Sequence, residues 1–173
     1  SNPAWYIHKG YPPQPEKLLS YNLLLNLASV CNTEDKDILW YFISRYLPET
    51  SPDTSPLLEK LVNCAINYYR DFVKPHKRYR KANIEETKAL KELLMVFVSL
   101  QAKAESETET IQSAIYKVGK KYFPNDLRTW FKSLYEVLLG QPNGPRMGSF
   151  IAIYGLDETI QLIKKVIKGE DLN

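Results

Sequence analysis

The densest cationic chemistry in the chain lies at residues 68–81, YYRDFVKPHKRYRK, where six lysines and arginines accompany a single acid. In its first half the helical spacing of Tyr68 and Phe72 assigns both to a core, and Arg70 stands ready to pair with Asp71. After Pro75 the helix cannot continue, so Lys77, Arg78, Arg80 and Lys81 surround Tyr79 in a loop. A guanidinium offers forked donors to a phosphate, and an exposed tyrosine ring stacks on an unpaired base. Two readings stand for this half: an RNA contact, or a solvated basic loop that bridges parts of the fold.

A second candidate is the loop at residues 140–149, GQPNGPRMGS. Gly140 ends a helix, Gln141 opens a turn that cannot be helical, and Pro145 stiffens the backbone before Arg146. N–H groups at the start of the next short helix, with Gly148 permitting close approach, suit a phosphate or a base edge. The competing reading is a tight interhelical turn whose Arg146 caps the carbonyls of Leu138 or Leu139. On the preceding helix Arg128 and Lys132 face solvent, and Lys132 has Glu136 four residues on as an alternative partner.

Catalytic chemistry finds little to work with. His8 and His76 are the only histidines. No HExxH, Cys/His metal spacing, GxSxG or phosphate-binding loop occurs, so neither catalytic nor metal-ligating residues are expected here. Carboxylate pairs such as Glu85-Glu86 and Asp35/Asp37 stand at helix starts, where the helix dipole favours negative charge. Cys31 and Cys64 fall on apolar helical positions and read as reduced, packed thiols.

The elements that must position these residues are all helical. Residues 127–138 place Leu127, Trp130, Phe131, Leu134 and Leu138 on one face. Ser20 caps a helix at residues 21–31, and Thr33 caps a second, to Leu47, with Ile38, Tyr41 and Phe42 available for packing. Pro56 starts a third, burying Leu57, Leu61, Cys64 or Ala65, Tyr68 and Phe72. Asn83 with Glu86 reads as a capping box, and Ser106 with Glu109 repeats the device before Ile111, Ala114, Ile115 and Val118. A last helix opens near Asp157 and turns Ile160, Ile163, Val166 and Ile167 inward. No strand alternation persists, so the expected fold is all-α, a bundle or cage of about seven helices.

The 173 residues, 44% of them hydrophobic, suffice for one domain or two small subdomains without a metal or disulfide staple. No apolar run reaches the roughly 18 residues that a membrane span needs. A net charge of +3 names no partner by itself. The proline- and aromatic-rich beginning, with Trp5, Tyr6 and Tyr11, reads as an extended lead-in from an upstream domain.

Three stretches together resemble a known family: SYNLLLNLASVCN at 20–32, NYYRDFVKPHKRYR at 67–80, and the LLGQ…GPRMG loop between its two helices. In this order and spacing they are similar to the end of class I lysyl-tRNA synthetases, and more loosely to that of glutamyl-tRNA synthetases. The family's HIGH-like and KMSKS-like signatures are missing, so the resemblance implies the C-terminal, all-helical, anticodon-binding part of such an enzyme. It implies a lead-in over 1–19, a first helical subdomain over 20–104 and an anticodon-binding one over 105–173. The implied partners are lysine tRNA, through its uridine-rich anticodon loop, and the enzyme's own Rossmann catalytic domain, in the cytoplasm and away from membranes. ATP and Mg2+ are implied for the parent lysine–tRNA ligase and not for this part. The RNA-binding residues it implies are Arg146, Arg128, Lys132, Gln141, Lys77, Arg78, Tyr79 and Arg80. From the residues alone a different class stays open: a helical protein-interaction module docking through the acidic stretch 85–109 or the aromatic lead-in.

Overall fold

The computed structural model describes residues 19–173, so the expected lead-in over 1–19 lies outside the described residues except for Leu19. Among those described there is no strand, and eight α-helices carry the fold. They fall into two compact units, residues 1–76 and 77–173.

In the first unit, α1 (Tyr21–Cys31) starts on Ser20, whose hydroxyl accepts the Leu23 N–H at 3.0 Å, and ends on Asn32 in the left-handed region. Helix α2 (Lys36–Tyr46) is capped by Asp35 rather than Thr33, whose hydroxyl instead accepts the Asp35 N–H. It buries Leu39, Trp40, Phe42 and Ile43 and leaves Ile38 and Tyr41 exposed, against the expectation for those two. The orientation is fixed from outside the helix, because Trp40 Nε1 donates to Glu59 Oε2 at 2.6 Å while Lys36 holds the other oxygen at 2.7 Å.

Helix α3 (Pro56–Tyr68) runs into a π-helical turn, Tyr69–Val73, and a 3-10 turn, Lys74–His76. Its buried face is Leu58, Val62, Ala65, Ile66 and Tyr69, packed on α1, and not the face one residue earlier that periodicity favours. Leu57, Cys64, Tyr68 and Phe72 are exposed. The sequence is apolar on both faces, and the Tyr69 hydroxyl separates them by donating to Asn32 Oδ1 at 2.8 Å when its ring is inside. Cys64 is therefore an exposed thiol and Cys31 a half-buried one, both free, so the expected packing fails for Cys64.

The second unit opens with α4 (Ile84–Ala102), whose Asn83–Glu86 capping box forms in both directions at 2.8 and 2.9 Å. Helix α5 (Thr108–Tyr122) has no such box: Glu107 is its N-cap and makes no side-chain cap bond, and Glu109 pairs elsewhere. Helix α6 (Leu127–Leu134) continues through a second π-helical turn, Tyr135–Leu139, and α7 (Met147–Tyr154) and α8 (Leu156–Ile167) complete the unit. Helix α4 packs on α5 and α8, and α5 on α7.

Trp130 is fully buried at the centre, its Nε1 donating to the Ile115 carbonyl at 3.0 Å and its ring stacked on Phe123. Gly119 makes room for it, since a Cβ there would lie 2.4 Å from Trp130 Cδ1. Leu127 and Phe131 are half-buried at the edge of this core, rather than within it.

Candidate nucleic-acid interface

Gly140 takes φ 68°, a left-handed conformation that glycine adopts without a Cβ penalty, and this turns the chain out of α6. Its carbonyl accepts the N–H of Arg78 at 2.9 Å. A Cβ on Gly140 would lie 2.9 Å from Lys77 Cγ and 3.2 Å from the Tyr79 ring. The basic loop and the LLGQ turn, far apart in sequence, thus close into one corner that needs glycine on two counts.

Within that corner the cations divide. Lys77 is buried, with its ammonium 5.4 Å from the Tyr79 ring centroid, a cation–π geometry. Arg78 is exposed, its Nη1 donating to the Lys77 carbonyl at 2.8 Å, and Tyr79 is half-buried. Arg80 turns inward: Nη1 and Nη2 donate to the two Glu86 oxygens at 2.8 Å each, and Nε donates to Glu136 at 3.0 Å.

Glu86 is 3% exposed and also accepts from the Ser133 hydroxyl at 2.6 Å and from the Asn83 N–H. The Arg80 hydrogen bonds pull its carboxyl down to about 2 against the opposing effect of burial, helped by Ser133 and Asn83. Glu86 in turn raises the Arg80 guanidinium above its ordinary range. This cluster ties the basic loop to the start of α4 and the end of α6.

On α6, Arg128 and Lys132 are exposed and four residues apart, hence on one face. Glu136, one turn further on, is held by Arg80, so Lys132 does not take it. Gln141 is half-buried at the start of the turn, its N–H 3.3 Å from the Tyr135 carbonyl. Tyr135 braces the other end of the turn by donating its hydroxyl to the Pro145 carbonyl at 2.7 Å, and burial raises its pKa.

Arg146 caps neither Leu138 nor Leu139. It makes a two-pronged ion pair with Glu109 of α5, at 2.5 and 3.0 Å, in which both side chains stay substantially open to solvent. That hydrogen bonding raises the Arg146 pKa and lowers that of Glu109. The start of α7 is occupied by the protein itself: the Gly148 N–H donates to Gln112 Oε1 at 2.7 Å. The close approach that Gly148 permits is to α5, because a Cβ there would lie 2.8 Å from the Thr108 carbonyl. An anion at that N–H would have to displace Gln112.

Sequence reasoning named the cations but not the carboxylates that sort them. Glu86 is legible only as a capping residue, and Glu109 only as part of a box that does not form. Glu136 is legible as a partner, though for Lys132 and not for Arg80. Among the described residues no group of three or more metal-ligating side chains comes together.

No protein-family model matches the chain, and no solved structure does. Curated relatives do. The chain is 44% identical over 171 residues to a protein from Rickettsia massiliae named lysine–tRNA ligase, covering 98% of this chain and 32% of that one. It is 46% identical over 166 residues to the protein of the same name from Rickettsia bellii, covering 95% and 31%. Against the Roseobacter denitrificans protein, also named lysine–tRNA ligase, identity is 44% over 173 residues, covering 100% and 32%. The chain spans about a third of the length of these relatives. Matched almost from end to end, it is a homologue of one third of the proteins named lysine–tRNA ligase, consistent with the C-terminal domain of a class I lysyl-tRNA synthetase.

Proposed function

We propose that the chain is the tRNA-binding part of a class I lysyl-tRNA synthetase, holding the anticodon stem-loop while a catalytic domain elsewhere in the polypeptide charges the acceptor end. The observation that carries this is the end-to-end identity with one third of lysine–tRNA ligases. In this reading lysine activation with ATP and Mg2+ belongs to the other two thirds, and the enzyme works in the cytoplasm. Among the described residues no helix is long and apolar enough to cross a membrane.

The second unit supplies chemistry for RNA. Arg78, Arg128 and Lys132 present exposed cations, which neutralise phosphates and fix register without reading sequence. Arg146 is the base-reading candidate, because its pair with Glu109 is solvent-exposed and exposed pairs are weak, typically about 0–1 kcal/mol. A base edge or phosphate can replace Glu109 at low cost, and Glu109 repels anions that do not fit. Tyr79 and Gln141 flank the same corner. Lys77 and Arg80 shape the loop rather than touch RNA.

The test is binding to a lysine-tRNA anticodon stem-loop and to the same hairpin with its anticodon exchanged, at two salt concentrations. Preference for the lysine anticodon, with affinity falling steeply as salt rises, is the expected result. Equal, salt-sensitive binding would reduce the domain to a backbone clamp. Absence of binding at either salt would favour a protein-interaction module.

A further inference from the structure

The face of α3 that periodicity assigns to the core lies outside it. Leu57, Leu61, Cys64, Tyr68 and Phe72 recur at intervals of four, three, four and four, an unbroken helical stripe about 20 Å long at 1.5 Å per residue. Leu57 is 48% exposed, Tyr68 45% and Phe72 59%, while Leu61 is half-buried and Cys64 exposed. Tyr68 is braced against Phe72, ring centroids 5.0 Å apart, and receives the edge of Tyr21 at 6.1 Å. The stripe is therefore ordered by its own rings. The opposite face of α3 already supplies the unit's core, so the unit has no need of this one for its own packing. A continuous exposed apolar stripe of this size marks an interaction surface.

We propose that this stripe is the docking face for the portion of the synthetase polypeptide lying outside these 173 residues. The inference rests on the reading that the chain is part of a longer lysine–tRNA ligase. Its warrant for the occupant is length: relatives matched end to end by this chain continue for about twice its length elsewhere. The stripe's chemistry agrees, since two leucines, a thiol and two aromatic rings with no charge among them suit an apolar protein face. A phosphate backbone would call for cations.

Cys64 sits mid-stripe and reports coverage directly. Iodoacetamide labelling, read peptide by peptide by mass spectrometry, compares the 173-residue chain with the longer polypeptide containing it. Cys64 is expected to label freely in the former and at least about tenfold more slowly in the latter. Phe72→Asp should leave the melting temperature of the 173-residue chain unchanged and restore Cys64 labelling in the longer one, whereas Phe72→Leu should retain the protection. Equal labelling in both polypeptides overturns the inference. Protection already present in the 173-residue chain also overturns it, pointing to a second copy if it depends on concentration and to the chain's own residues if it does not. Lysine charging by the same longer preparation separates the two levels: charging with Cys64 unprotected sinks the docking face alone, and loss of charging by the unaltered polypeptide sinks the functional reading.

Discussion

Arg78 and Arg80 lie two positions apart in one loop, yet the first points its guanidinium at solvent and the second spends its donors on Glu86 and Glu136. Substituting them separates binding from folding. Arg78→Ala should weaken RNA binding across all sequences and lower the salt slope by about one, with the melting temperature unchanged. Arg80→Ala should instead cost about 2 kcal/mol in denaturant unfolding, because it strands Glu86 in the interior. That is below the usual loss for a buried pair, since the Arg80 side chain is 39% exposed. Arg146→Ala should reduce discrimination between anticodons more than overall affinity; a uniform loss would assign Arg146 to phosphate.

Glu86 adds a pH signature. Its carboxyl is held near 2 in the folded protein against an ordinary 4.5, so its stabilisation is complete above the unfolded value. That stabilisation, about 2–3 kcal/mol, is lost as pH falls from about 5 towards 2. The stability gap between the unaltered protein and Glu86→Gln should therefore be widest near neutrality and close through that window. A constant gap down to acid pH would show that hydrogen-bond geometry, and not charge, is what the cluster uses.

Among the elements, α5 and α6 meet where Gly119 faces Trp130. Trp130→Ala should cost about 3–5 kcal/mol, the range for emptying a large aromatic site. Gly119→Ala should also destabilise, although alanine favours helix, because the added carbon collides with the indole. Thermal unfolding of the two variants checks both. The same pair shows what the sequence could reveal. The period of α6 identifies Trp130 as core, and Gly140 and the Asn83–Glu86 box mark helix ends, because each signal is local. In α3 the period fails by one residue: both faces are apolar, and the choice belongs to Tyr69 and Asn32, far apart in the chain. Glu109 misleads similarly, since its real partner, Arg146, lies in another element. Spacing along a helix reports its faces, while which face is taken depends on partners elsewhere.

At the scale of the whole molecule, the cations of the second unit act in parallel, so affinity should fall linearly on a logarithmic salt axis. The corner that gathers them depends on register. Tyr135–Leu139 is a π-helical turn, holding one residue more than an α-helical turn would. Removing a single residue there would let α6 continue as ordinary helix, but everything beyond would swing by about 100°, and the Gly140 carbonyl would face away from Arg78. Length in this short stretch is thus a heritable setting, and homologous chains that differ by one residue between Leu134 and Gly140 should present a different corner to RNA even where every side chain is retained.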